Sequence, residues 1–411
     1  MNAKLSSRVL PRGFRYAGAF CGIKKSGRPD LGWIVADSPC AAAGVFTTNL
    51  VKAAPVLLCQ TNMRRAAGRM RAVVVNSGNA NCATGPDGMQ ASRSTALAAA
   101  RLLGCRPEQV LICSTGVIGV PLPVGRIVSA LPNLLPQLAS DPAAYENLSK
   151  SIMTTDTRVK IAAASCRIGA RTIRVLGCAK GSGMIHPQMA TMLAFVTTDA
   201  TVPANILQRA LREVTARTFN VITVDGDTST NDTVLAFASG AAGAPAVRSA
   251  NGGDYRRFVV ALESVCRALA LAIVEDGEGA KHVVAIEVRG GASARDAQRV
   301  AMTIAHSPLV KTAVAGCDPN WGRILAAAGR AGAKFNPDRV EIFFGGARMF
   351  GRPRSGAAAR PLPFSERAAH RRLLKKHVEI AVDLKNGRAR ACAWTCDFTT
   401  EYININANYR T

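Results

Sequence analysis

Aromatic residues make up only 5% of this 411-residue chain, and its 27 Asp and Glu are far outnumbered by 52 Lys and Arg. A net charge of +25 invites a nucleic-acid partner, because Lys and Arg neutralise phosphate and bind it in a salt-dependent way. Binding of single strands also draws on aromatic rings for base stacking, and these are few. The basic residues are spread out, with Arg64, Arg65, Arg69 and Arg71 in one place and Arg348 to Lys376 in another, and no nucleic-acid motif accompanies them. A solvated basic surface, or attraction of small anionic substrates, is the better reading. No stretch offers the ~20 apolar residues of a membrane span; even 258–274 is interrupted by Glu263 and Arg267. A soluble protein is therefore expected, and a hydrophobic content of 48% supports two or three domains' worth of core. The twelve cysteines include no Cys-x-x-Cys pair, which argues against a zinc or disulfide scaffold and for a reducing cytoplasm. Internal repeats and low-complexity segments are also missing. No acid precedes Asp30, which superficially suggests a transit peptide.

Strand and helix patterns alternate along the chain, and this points to a layered α/β or α+β sandwich. Short strands are expected at 31–37, 43–49 and 53–56. The run 72–75 is a buried strand that empties into Asn76-Ser-Gly78-Asn-Ala-Asn, and 109–113 is a second that delivers Ser114-Thr115-Gly116. Small polar residues at strand ends build backbone donor sites, though most such loops are only tight connections. Helices are predicted over 90–103, 131–138, 143–153 and 258–273, and one starts at Pro203. A strand at 219–224 is expected to end in Asp225-Gly-Asp227-Thr-Ser-Thr-Asn231-Asp232. That loop lacks the twelve-residue spacing and terminal Glu of a calcium-binding EF-hand, so it reads as a capping and hydrogen-bonding loop. After the glycine-rich break at 277–279, residues 283–411 read as a C-terminal subdomain with a turn at 319–322.

The stretch 180–199 is a glycine-rich loop running into an apolar strand, with Thr191 at the junction. A strand fixes such a residue while the loop leaves room for a substrate, a placement that suits a nucleophile. Threonine at a strand start more often only satisfies turn geometry, and a hydroxyl nucleophile needs a base that does not adjoin Thr191 in sequence.

Lys180-Gly-Ser-Gly-Met-Ile-His-Pro187 with Met189-Ala-Thr191-Met-Leu193 closely resembles the self-cleavage segment of the ornithine acetyltransferase family, the arginine-biosynthesis glutamate N-acetyltransferases. Gln188 stands where Asn is expected. The similarity extends over 11–411 and includes Pro11-Arg-Gly13-Phe14, Gly22-Ile23-Lys24, Val224 to Asp232 and Ala315-Gly-Cys-Asp-Pro-Asn-Trp-Gly-Arg323. It leaves about ten residues of leader, short of the ~15–30 of a secretory signal, and it decides against a transit peptide. One departure is Gly279-Ala280-Lys281-His282, where the family usually has Gly-Ala-Thr-Lys.

The resemblance implies an α/β (α+β) layered sandwich of the DmpA/ArgJ-like kind, akin to N-terminal-nucleophile hydrolases. It implies a cut between Ala190 and Thr191, giving an α chain of 1–190 and a β chain of 191–411 that assemble as a heterotetramer of two of each. The amine so freed on Thr191, with an ordinary pKa of about 8, supplies the missing base. Acetyl then passes from N2-acetyl-L-ornithine to L-glutamate through an acetyl-Thr191 ester, with no metal or bound cofactor. Acetyl-CoA as a further donor stays open. Thr115 and Gly116 correspond to the oxyanion hole, and Thr154, Lys180, Thr191, Glu278, Asn406 and Thr411 to substrate-contacting positions. Lys180, Asn406 and Thr411 suit an α-carboxylate, and Glu278 suits the ornithine ammonium. The alternatives are an amidase or aminopeptidase with the same nucleophile, and a basic nucleic-acid-binding module.

Overall fold

Runs of Val, Ile and Ala with no polar alternation need cover on both faces, and here they form the middle of an eight-stranded sheet. The computed structural model describes residues 6–186, 192–353, 357–363 and 365–408. They divide into two units. The first holds the chain up to Asn220 together with Asp227–Ile273, and the second holds Val221–Gly226 and the chain from Val274 onward.

The strands of the first unit are β1 (Phe14–Ala19), β2 (Leu31–Phe46), β3 (Arg69–Asn79), β4 (Val110–Val117), β5 (Lys160–Ile168), β6 (Arg171–Lys180), β7 (Leu193–Thr198) and β8 (Thr233–Ala238). They lie in the order β4-β3-β2-β8-β7-β6-β5, with β1 beside β2. The β3/β4 and β7/β8 pairs are parallel and the rest antiparallel. The helices are α1 (Ala54–Arg65), α2 (Gly85–Leu103), α3 (Val124–Leu134), α4 (Pro142–Ser151), α5 (Ala204–Arg217) and α6 (Gly253–Glu275). On one face Tyr145 and Leu148 of α4 pack with Tyr16, Ile34, Val73 and Val75. On the other, Ala96 and Ala99 of α2 and Ile127 and Leu131 of α3 pack with Trp33, Val35, Val74 and Ile112. Burial of each large apolar side chain in these layers contributes about 1.5–3 kcal/mol.

The second unit has β9 (Val283–Gly291), β10 (Glu341–Phe344), β11 (Ala347–Gly351), β12 (Arg360–Pro361), β13 (His377–Asp383) and β14 (Ala389–Cys396), in the order β12-β11-β10-β13-β9-β14. Its helices are α7 (Ala294–Ala305), α8 (Pro308–Ala315), α9 (Trp321–Gly329), α10 (Glu366–Leu373) and α11 (Thr400–Ala407). Ala297, Val300, Ala301 and Ile304 recur at helical spacing on α7 and join Ile286, Val288 and Ala393 of the sheet in one core.

Four local expectations are corrected. The two strands expected at 31–37 and 43–49 are one strand, β2, whose register breaks between Val35 and Cys40; Pro39 sits in the break, where no ladder N–H is lost. Residues 53–56 open helix α1 rather than a strand, because Pro55 occupies its first turn, where a missing N–H costs nothing. Residues 219–224 are not a strand: Phe219–Val221 form a 3-10 turn, and Ile222 makes a single bridge to Trp394. They meet the edge strand β14 only at Trp394, whose carbonyl accepts the Thr223 N–H at 2.9 Å, and do not pair along it. The turn at 319–322 is the start of α9, where the Asn320 side chain accepts the Arg323 N–H at 3.1 Å. All twelve cysteines are free thiols. Among the described residues no helix is long and apolar enough to cross a membrane.

Candidate active site

Strands β3 and β4 run side by side to the same end, with Ser77 opposite Thr115 and Gly78 opposite Gly116. The backbones approach so closely there that a Cβ on Gly116 would lie 2.3 Å from the Gly78 carbonyl carbon, and Gly116 has φ +136°, so no other residue fits. Thr115 is buried, and its Oγ1 accepts a hydrogen bond from the Lys180 ammonium at 3.2 Å. An ammonium is donor-only, so Thr115 must act as acceptor in this bond, and its own hydroxyl hydrogen remains available for another oxygen. Ser114 Oγ donates to Asn76 Oδ1 at 2.6 Å and stiffens the residue before.

Lys180 is the last residue of β6, where the expectation placed it at the head of a loop. Its charge is balanced from Asp156. Asp156 Oδ1 accepts from Lys160 Nζ at 2.6 Å and from the Gly181 N–H at 2.7 Å, and Oδ2 accepts the Thr154 N–H at 2.9 Å. Burial alone would raise this carboxyl, but Lys160, Lys180 and the Gly181 N–H outweigh it and hold it down to about 2. Thr154 thus reaches the Lys180 neighbourhood through Asp156, while Thr155 Oγ1 lies 2.6 Å from Ser182 Oγ. Lys24 adds a half-buried ammonium. Its stem touches the site a side chain on Gly78 would occupy, and its Nζ donates to Pro29 O at 2.8 Å. Burial, reinforced by Arg28 and Lys180 and opposed by Asp30 and Asp156, brings it down to about 8.

The start of β7 lies beside this group. Leu193 pairs with Lys180 of β6 on one side and with Thr233 of β8 on the other. Met192 is held twice: its N–H donates to Asp232 Oδ1 at 2.9 Å, and its carbonyl accepts the Thr233 N–H at 3.1 Å. Ala190 and Thr191, the expected cleavage site, and Thr411 lie outside the described residues.

In the second unit Glu278 and Asn406 come together, with Asn406 Nδ2 donating to Glu278 Oε2 at 2.7 Å and to Tyr402 O at 3.0 Å. The unusual Lys281-His282 pair is held by Asp397, which accepts both backbone N–H groups on Oδ1 at 2.8 and 2.9 Å and faces His282 Nδ1 at 2.7 Å. That clamp steadies the loop a few residues beyond Glu278.

Residues 15–411 match the model of the ArgJ family. The chain belongs to the ArgJ family. It is 49% identical over 405 residues to the arginine biosynthesis bifunctional protein ArgJ of Symbiobacterium thermophilum, covering 98% of each chain. To the protein of the same name from Thermotoga neapolitana it is 46% identical, over 98% of this chain and 100% of the other. A crystal structure of arginine biosynthesis bifunctional protein argJ from Bacillus halodurans is 42% identical, spans 52% of this chain and 98% of that one, and has a TM-score of 0.49.

Chemically, the first unit brings a buried cation, a threonine hydroxyl and glycine backbone to the edge of a strand start. Such preorganised donors stabilise charge developing on an oxygen. Sequence reading missed Asp156, Lys160, Lys24, Asn231 and Asp232 as members of this neighbourhood. The i,i+4 spacing of Asp156 and Lys160 was the one local signal available.

Proposed function

We propose that the chain cuts itself between Ala190 and Thr191 and then moves the acetyl group of N2-acetyl-L-ornithine to L-glutamate by a ping-pong route, in arginine biosynthesis. The observation that carries this reading is the Lys180 to Thr115 hydrogen bond, which orients the Thr115 hydroxyl in a buried site beside the strand that begins next to position 191. In the first step the Thr191 hydroxyl attacks the Ala190 carbonyl, the acyl group shifts from nitrogen to oxygen, and water hydrolyses the ester to leave a free carboxylate on Ala190. The new α-amine then takes the Thr191 hydroxyl proton as the oxygen attacks the acetyl carbonyl, and it returns a proton to the departing ornithine amine. The glutamate amine attacks the resulting ester and regenerates the hydroxyl. The Thr115 hydroxyl and Gly116 N–H stabilise each oxyanion, at about 3 kcal/mol per donor.

Glu278 suits the ornithine ammonium, and Thr154, Lys180, Asn406 and Thr411 suit the remaining polar groups of the substrate. The cut gives an α chain of 1–190 and a β chain of 191–411, assembled two and two. No metal or bound cofactor enters these steps, and the free thiols favour a cytoplasmic setting. The curated relatives are named bifunctional, and an acetyl-threonine ester would also form from acetyl-CoA. The test is intact mass together with product. Wild type yields two fragments meeting at 190/191 and makes acetylglutamate from acetylornithine, and Thr191→Ala stays whole. Release of acetate with no acetylglutamate would instead favour the amidase alternative.

A further inference from the structure

The segment 224–232 carries a dense set of polar residues that no substrate contact accounts for. Its last two side chains reach in different directions. Asn231 Nδ2 donates to Ala80 O at 2.6 Å and to Ser114 O at 2.8 Å. Asn231 Oδ1 accepts the Thr230 hydroxyl at 2.6 Å, so the amide is bonded at both ends. Asp232 Oδ1 accepts the Met192 N–H at 2.9 Å. Ser114 is bonded to Thr115, and Met192 is bonded to position 191. Two consecutive residues therefore grip the residue just before the oxyanion threonine and the residue just after the nucleophile. The gripping segment is itself anchored, since Thr47 N–H donates to Asp232 O at 2.9 Å and Ala53 N–H to Thr230 O at 3.0 Å.

We infer that Asn231 and Asp232 are positioning residues that set the distance between the oxyanion donors at the end of β4 and the nucleophile at position 191. This rests on the acetyl-transfer reading above. Such spacing matters because a misplacement of ~1 Å in reacting groups can cost ~10²-fold in rate.

The chemistry of Asp232 fits the role. The residue is fully buried, and its Oδ2 has no hydrogen-bond partner among the described residues. Burial pushes its carboxyl well above the ordinary carboxylate range, against the pull of the Met192 N–H, Lys180 and Ser229. In its protonated form, which burial favours, the carboxyl holds the Met192 N–H through a carbonyl-type oxygen and puts no negative charge beside the oxyanion. An amide does the same, so Asp232→Asn is the conservative replacement.

The experiment compares Asp232→Asn, Asp232→Ala and Asn231→Ser in full-length protein. Asp232→Asn is expected to cut itself and to keep kcat within about threefold of wild type, and Asp232→Ala and Asn231→Ser to lose about 10²-fold in self-cleavage rate and kcat with KM for acetylornithine nearly unchanged. Infrared spectra at neutral pH should show a protonated carboxyl band in wild type that Asp232→Asn lacks. Asp232→Asn as slow as Asp232→Ala, or Asn231→Ser as fast as wild type, would overturn the inference. Should Asp232→Ala not fold, Asn231→Ser, too short to reach Ala80 and Ser114, carries the same expectation. Amide exchange of the peptides holding Met192 and Thr115 separates the two ideas. It should quicken in Asn231→Ser whether or not substrate turns over, and no change there defeats the inference alone. A wild type that keeps this protection yet makes no acetylglutamate defeats the acetyl-transfer reading alone.

Discussion

Asp156 and Asp232 both have side chains sealed from solvent in the first unit, yet their surroundings shift their carboxyls in opposite directions. Asp156 has Lys160 at 2.6 Å, Lys180 nearby and two backbone N–H donors, and it is ionised well into acid. Asp232 accepts the Met192 N–H on Oδ1 and is drawn down also by Lys180 and Ser229, yet burial prevails and pushes its carboxyl well above the ordinary range. Burial is common to both, so the lysine in direct contact with Asp156 decides. Asp156 anchors positive charge at the site, while burial works against negative charge on Asp232.

The comparison breaks most severely at Asp156→Asn, which removes the carboxylate that Lys160 contacts at 2.6 Å and that the Gly181 and Thr154 N–H groups bond. Loss of about 3–5 kcal/mol of stability is expected, readable by chemical denaturation. Acid titration of the wild type is a milder form of the same change. The Asp156 carboxyl lies at about 2 in the fold against 3.8 unfolded, so its stabilisation is present above the unfolded value and fades as pH falls toward 2. Its full size is about 2 kcal/mol, and thermal midpoints measured down the acid range would show it. Asp232 has the reverse sign. Its raised carboxyl favours the fold fully below about pH 4, and that contribution is lost as pH rises. Asp232→Asn should therefore match wild type in acid and gain thermal stability relative to it as the medium becomes neutral and alkaline. The smallest effect is expected at Lys24, whose ammonium titrates at about 8 beside Lys180. Lys24→Met should flatten the rise in KM for glutamate above that pH and leave kcat nearly unchanged, as measured by a KM profile against pH.

Much of this was legible in local pattern. The buried runs at 72–75 and 109–113 and the helical stripe through Phe258, Leu262, Val265, Leu269 and Ile273 lie where the pattern puts them, whereas Asn76–Asn79 and Ser114–Gly116, expected as loops, continue strands β3 and β4. Periodicity does not say which strand ends meet. Lys180 and Thr115 are 65 residues apart, and Met192 and Asp232 are 40 apart, joined only by sheet order. Thr115 and Lys180 were singled out by resemblance to a family, since spacing alone left Thr115 in a turn. Asp156 and Asp232 look alike in sequence, each a polar residue among threonines, and only their hydrogen-bond partners separate them. Pro39 and Pro55 misled for a related reason. Each marks a break in ordinary reading, but one lies within a continuous strand and the other starts a helix.

The strand order has one more consequence. Strands β7 and β8 follow position 191 in the chain, yet they sit between β2 and β6, which precede it. A cut at 190/191, as proposed, would therefore not part the molecule along a seam. The later piece would stay wedged into the earlier one, with β8 bonded to β2 on one flank and β7 to β6 on the other. Two such pieces would be threaded together before they are two, and they should separate on a denaturing gel and travel as one on a sizing column.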